Sequence, residues 1–169
     1  MDTLWAPWRM EFIKGDQKHD GCIFCDFPAE QGEGADRRNL IVARSQHAFV
    51  ILNRYPYNNG HVMVIPRKHT ADFTALSREE LTDLHALLQT ALAVVKEVYR
   101  PDGFNMGMNL GRVAGAGIAD HLHWHIVPRW GGDTNFMPVV GNTKVMIEHL
   151  AQSHETLSRA FSARASLGI

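Results

Sequence analysis

Nine consecutive residues constrain this chain more than any other stretch: Asp120-His-Leu-His-Trp-His-Ile-Val-Pro128. Histidine alternates there with Leu122, Trp124 and Ile126. A strand sends successive side chains to opposite faces, so His121, His123 and His125 share one face and the apolar set shares the other. The apolar set can anchor the strand in a core. The histidine set presents three imidazoles to one space.

The flanking patterns supply the rest of a fold. Leu40–Ala43 and Ala48–Leu52 are short β-branched runs, predicted to pair around the turn Arg44–His47. Asn53–Gly60 reads as a turn or short loop, and His61–Pro66 as a third strand. Ser77-Arg-Glu-Glu80 has capping-box spacing. Leu81, Leu84, Leu87, Leu88, Ala91, Val94, Val95 and Val98 then recur at helical intervals, which predicts a helix to about Tyr99, before Pro101. Phe104–Asn109 reads as a strand, Gly111–Gly117 as a tight loop, and His121–Val127 as a strand closed by Pro128. A second helical pattern spans Thr143–Ala163, with Val145, Ile147, Leu150, Leu157 and Phe161. Residues 1–39 look irregular. Strands and helices in this order predict an α+β class with an antiparallel sheet and two main helices. No repeat or linker interrupts the chain, so residues 1–169 are expected to form a single domain.

The totals narrow the function. The chain has 169 residues and a net charge of -1, which excludes the basic field that holds long nucleic acid. No apolar run is long enough for a membrane span, and the N-terminus lacks the order of a signal peptide, so a cytoplasmic location is expected. Cys22 and Cys25 are the only cysteines. In a reducing compartment their spacing favours a metal or redox role over a structural disulfide. It equals half of a tetrahedral zinc site. No βαβ pattern surrounds it, which argues against a thioredoxin-like role. Two buried thiols are the simpler alternative.

Three readings of the histidine strand stand open on the residues alone. It can be a half-buried strand with a polar face. It can supply metal ligands. Or one histidine can attack phosphorus: neutral imidazole is a nucleophile near neutral pH, and a covalent nucleotidyl intermediate splits one hard displacement into two easier ones. A backbone carbonyl or side chain must then fix the tautomer, so that the attacking nitrogen keeps its lone pair. The loop Gly111-Arg-Val-Ala-Gly-Ala-Gly117 can bring backbone N–H groups close to phosphate oxygens. Asn53 reads as a turn residue at a strand end.

His121-Leu-His123-Trp-His125-Ile-Val127 resembles the signature of the histidine triad (HIT) family. Ile51 to Pro66 is similar to that family's upstream nucleotide-binding stretch, and Asn109-Leu-Gly111 with the glycine loop to its phosphate-side segment. The resemblance covers roughly residues 22–140. Leu4–Arg9 and Pro128–Pro138 resemble a bacterial branch of diadenosine tetraphosphate phosphorylases or related hydrolases. The resemblance implies a HIT-like fold and an enzyme that cleaves dinucleoside polyphosphates at the α-phosphate, with phosphate or water as acceptor. It implies His123 as the nucleophile, His125 at the scissile phosphate or leaving group, and His61 in the same cluster. Asn53 would bind ribose. Asn109, Gly115 and Gly117 would hold the phosphate or orient the loop. Structural zinc would be taken by Cys22, Cys25, His69 and His121, with no position left to activate water. A magnesium-bound substrate is compatible with this chemistry, and a homodimer is expected. The alternative is a nucleotide-binding HIT protein with phosphoramidate hydrolase activity or little turnover. One departure stands out. Many members carry Gln or Ser just before the triad, whereas this chain has Gly117, Ile118 and Ala119. Backbone N–H groups or His125 must then supply more of the charge stabilisation.

Overall fold

The computed structural model describes residues 21–134 and 145–166. Five strands form one antiparallel sheet in the order β1-β2-β3-β5-β4: β1 Ile41–Arg44, β2 Ala48–Leu52, β3 Val62–Pro66, β4 Gly103–Gly107 and β5 Trp124–Arg129. Four α-helices accompany them among the described residues: α1 Ile23–Ala29, α2 Ala35–Arg38, α3 Arg78–Tyr99 and α4 Leu150–Ser166. No helix among these residues is long and apolar enough to cross a membrane.

The two faces of the sheet are covered differently. Val50 and Leu52 of β2, Val62 and Val64 of β3, and Ile126 of β5 point to one side. There they meet Leu84, Leu87, Leu88, Ala91, Val94 and Val95 of α3, whose spacing keeps one stripe of the helix on the sheet. Leu157 and Phe161 of α4 complete this core. On the other side Phe49, Ile51, Met63 and Ile65 pack with Phe24 of α1. Strands β2 and β3 are therefore buried on both faces along their whole length, whereas β4 is half-buried or exposed throughout. Residues with the parity of Met63 and Ile65 include His61, and Met63 pairs with His125 across β3 and β5. The histidine face is thus the face that α1 covers at one end of the sheet.

Helix α3 starts as its sequence predicts. Ser77 accepts from the Glu80 backbone N–H, and the Glu80 carboxylate accepts from the Ser77 N–H. It ends at Arg100, which turns into the left-handed region (φ 46) before Pro101.

Four expectations shift. Residues 1–39 are not irregular throughout, since α1 and α2 lie at 23–29 and 35–38. Each is under two turns long, so burial of Phe24 and Ala35, not helical periodicity, holds them. The histidine strand begins at Trp124 and runs to Arg129, not His121–Val127. Ahead of it, Leu122 N–H donates to the Thr70 carbonyl (2.8 Å), so this part of the chain pairs with the segment after β3. Pro128 sits inside β5. Its carbonyl accepts from Asn58, so its ring nitrogen faces that same side, away from the β4 ladder. Strand β4 ends at Gly107 instead of Asn109. The last helix begins at Leu150, and Val145 and Ile147 are exposed ahead of it. Thr143, Trp5 and Trp8 lie outside the described residues.

Candidate functional site

His61, His121 and His123 are all buried, and His125 is half-buried. Their hydrogen bonds assign each ring a tautomer. A backbone carbonyl only accepts, so His123 Nδ1, 2.9 Å from the His121 carbonyl, must carry the proton. Its Nε2 then keeps the lone pair. Burial pulls the His123 pKa below the usual histidine value, against the smaller effect of that carbonyl, so the ring is neutral at neutral pH. The ring lies edge-on to His125, with centroids 5.0 Å apart.

A second pair follows the opposite rule. The Tyr57 N–H donates to His61 Nδ1 (3.1 Å), which places the His61 proton on Nε2. That Nε2 lies 3.0 Å from His125 Nδ1, which must accept. His125 therefore carries its proton on Nε2. Tyr57 also stacks on His61, with centroids 5.1 Å apart and an interplanar angle of 15°. Side by side on one face stand a ring offering a lone pair and a ring offering a proton, which is what attack on phosphorus and charge stabilisation at a departing oxygen require.

At the other end of the histidine run, Cys22, Cys25, His69 and His121 converge, with one donor atom from each lying within 4.8 Å of all the others. His121 Nδ1 is 3.3 Å from Cys22 Sγ and 3.6 Å from Cys25 Sγ, and His69 Nδ1 is 3.3 Å from Cys25 Sγ. Zinc bonds of ~2.3 Å to sulfur and ~2.0–2.1 Å to nitrogen put neighbouring donors of a tetrahedron about 3.3–3.8 Å apart. The donor set fits zinc in type, number and spacing. His121 Nε2 donates to the Pro66 carbonyl (2.8 Å), which fixes the ring with Nδ1 toward the thiols. Burial and the adjacent Cys22 push the Cys25 thiol up to about 11, so two thiolates here need a cation between them.

The two centres share parts. His121 offers its ring to the cysteines and its carbonyl to His123. Phe24, between the cysteines, packs on His121 (5.6 Å) and on His123 (5.2 Å).

The remaining expected residues have local roles. Asn109 Nδ2 donates to the Gly115 carbonyl (3.4 Å), which ties down the loop. Gly111 and Gly115 have φ of +81° and +90°, conformations open to glycine at little cost. Gly117 is exposed, and its φ is not positive. Asn53 Oδ1 accepts from Tyr55 N–H (2.9 Å), the turn role, while its Nδ2 reaches within 3.4 Å of the His61 ring. Lys68 and Arg67 are engaged locally, by the Ala75 and Ser45 carbonyls.

The HIT domain family model matches residues 36–132, more than half the chain. The chain belongs to the HIT family. It is 39% identical over 163 residues to a Mycobacterium tuberculosis protein named AP-4-A phosphorylase, covering 94% of this chain and 83% of that one. It is 33% identical over 93 residues to the bis(5'-adenosyl)-triphosphatase of Dictyostelium discoideum, covering 55% and 62% respectively. Among solved structures, a zinc-bound histidine triad family protein from Mycobacterium smegmatis superposes with a TM-score of 0.65 at 25% identity, over 86% of this chain and 96% of that one.

Sequence reasoning missed several residues of this HIT site. Phe24 was visible only as an apolar residue between two cysteines. Tyr57 acts through its backbone N–H and a ring face, neither of which a pattern of side-chain types reveals. Away from the site, His154, which shares no pattern with the others, is buried and donates from Nε2 to the Ile41 carbonyl (2.8 Å). That carbonyl lies where the β1–β2 register shifts between Ile41 and Ala43.

Proposed function

We propose that this HIT protein cleaves dinucleoside polyphosphates, diadenosine tetraphosphate foremost, at the α-phosphate through a nucleotidyl-His123 intermediate. The observation that supports this best is the His123 Nδ1 bond to the His121 carbonyl. It leaves the lone pair on Nε2, in a ring that meets a His125 whose proton sits on Nε2. His123 Nε2 attacks the α-phosphorus, and the bond to the bridging oxygen breaks. With diadenosine tetraphosphate, ATP leaves and AMP stays on the ring. His125 Nε2–H stabilises the negative charge that develops on the departing oxygen. Phosphate or water then attacks the same phosphorus and releases His123: phosphate gives ADP, water gives AMP. Likeness to the Mycobacterium tuberculosis phosphorylase favours phosphate.

In the same reading, the glycine loop offers N–H groups to the phosphates and Asn53 meets the ribose. Cys22, Cys25, His69 and His121 would hold a structural zinc that fixes α1 against the histidine run. Magnesium would enter only as a counter-ion on the substrate. A homodimer is part of the proposal, supported by β4, a sheet edge among the described residues, which carries the 44%-exposed Met106. A cytoplasmic setting suits two thiols that must stay reduced.

The test is a dinucleotide panel run with and without inorganic phosphate, scoring ADP against AMP. Acid quenching should trap a labile adduct that His123→Ala lacks. Binding without adduct or product would overturn the reading in favour of a nucleotide-binding role.

A further inference from the structure

Asn58 lies in the loop between β2 and β3, and no part of the mechanism above uses it. It is buried, and its side-chain Nδ2 and main-chain carbonyl are both engaged. Its side-chain amide donates to the Pro128 carbonyl of β5 (3.0 Å) and to Asp133 Oδ2 (2.7 Å). Its own carbonyl accepts from the His61 N–H (3.1 Å). We propose that Asn58 is a positioning residue: locked to the end of β5 by Asp133 and Pro128, it holds His61 where it fixes the proton of His125 on Nε2. The proposal rests on the function proposed above for the meaning of that proton, but not for the geometry.

Asp133 makes the lock stiff. Its carboxylate accepts from Arg129 Nε (2.5 Å) and Nη2 (3.1 Å) and from the Trp130 N–H (3.3 Å). Arg129 Nη1 reaches on to Asn105 Oδ1 of β4 (2.8 Å). One carboxylate therefore gathers β4, the end of β5 and the loop that carries His61. The loop is also pressed against α3. Gly60 has φ +74°, and a Cβ there would lie 2.6 Å from the Tyr99 ring. The Asn53 N–H to His61 carbonyl bond (3.0 Å) continues the β2–β3 pairing at the base of the loop, and beyond it these ties hold the Tyr57 N–H and the His61 ring in place.

Tautomer control turns that placement into chemistry. The His61–His125 bond exists because His61 accepts from Tyr57 at Nδ1 and donates from Nε2. A shift of His61 by about 1 Å breaks it, and errors of that size at an active site cost up to about 100-fold in rate. His125 then takes up either tautomer. In the wrong one a lone pair, not a proton, faces the departing oxygen.

The test uses the full chain with its metal, 15N-labelled at histidine, and long-range proton–nitrogen NMR of the rings without substrate. In the wild type, His61 and His125 should both show protonated Nε2 and bare Nδ1. In Asn58→Ala and Asn58→Asp, His125 should become a mixture, while His123 keeps its Nδ1 proton. The kcat for diadenosine tetraphosphate should fall about 10- to 100-fold, with KM changed less than about threefold. The swap Asn58→Asp with Asp133→Asn restores a donor opposite an acceptor and should recover part of both readouts. An unchanged His125 tautomer, or an unchanged kcat, in folded Asn58 variants overturns the proposal. Should those variants not fold, Asp133→Asn, which keeps the side chain's size and weakens the acceptor, takes the same two readouts. A wild type that shows the expected tautomers but turns over no dinucleotide defeats the proposed function and leaves the NMR comparison to decide this one.

Discussion

The two ends of the histidine run use the same ring in opposite ways. His121 is held through Nε2 by the Pro66 carbonyl and turns Nδ1 to the cysteines. His123, two residues on, is held through Nδ1 by the His121 carbonyl and keeps its lone pair on Nε2. His125, a further two on, accepts at Nδ1 from another imidazole and keeps its proton on Nε2. The residue type is constant; what differs is which nitrogen a neighbour occupies. The backbone makes this possible. His121 to His123 precede β5, outside its ladder, so the His121 carbonyl can meet a ring instead of another strand.

The comparison breaks most directly at the nucleophile. His123→Ala should lower dinucleotide turnover by at least about 10⁴-fold, since it removes the nucleophile of the proposed covalent step. Metal content, measured by atomic emission, should stay at the wild-type level, because the His121 ring and both cysteines remain. Activity that survives the change would mean that this end is not the reacting end. Next in size is the loss of the thiol cluster. Cys25→Ser should abolish stoichiometric zinc and lower the thermal midpoint by roughly 10 °C, the scale of losing a structural site worth a few kcal/mol. Zinc added back to chelated wild type should restore the midpoint, and zinc added to the variant should not. An unchanged midpoint and metal content would leave the cluster as two buried thiols.

How much of this was readable in advance follows from the same contrast. The alternation of Leu122, Trp124 and Ile126 with histidine predicted which set would face the core, and Leu122 and Ile126 are indeed buried among α3's neighbours. The capping box at Ser77 and the apolar stripe of α3 were local patterns, so one segment was enough to read them. Helix α1 was not, because its reason to exist is Phe24 packing on a sheet face built from residues 41–65. Pro28, near its end, argued against a helix at all. The beginning of β5 was misplaced for a similar reason. Leu122 pairs with Thr70, about fifty residues away, and periodicity carries no signal of that. The resemblance brought together Cys22, Cys25, His69 and His121, which do converge, and the histidine cluster. It carried no sign of Tyr57, which meets His61 through its backbone N–H and a ring face.

His154 sharpens the comparison, because it is held as His121 is, by Nε2 on a carbonyl, yet stands away from both centres. If held rings matter only for packing there, His154→Ala should cost about 1–3 kcal/mol in urea unfolding, the cost of leaving the Ile41 carbonyl buried without its partner. Turnover per folded molecule and zinc content should not move. A loss of zinc alongside stability would mean that α4 and β1 support the cluster through the sheet.

The smallest effect concerns the carboxylate at the far end of β5. Arg129, first, and then Asn58 hold the Asp133 carboxyl well below the usual carboxylate range. A group depressed in the folded state stabilises the fold above its unfolded pKa of about 3.9 and loses that contribution as pH falls toward the folded value. The stability gap between wild type and Asp133→Asn should therefore be level from pH 8 to about 5 and shrink below about 4. Its size should be about 1 kcal/mol or less, since Arg129 is half-exposed and the pair is screened. The thiol cluster also weakens in acid, as its ligands take up protons, but it does so equally in both proteins and cancels in the difference. A gap that stays level through pH 4, or widens, would mean that Asp133 is held by its shape in the turn and not by its charge. The Asn58 lock would then be a matter of hydrogen-bond geometry alone.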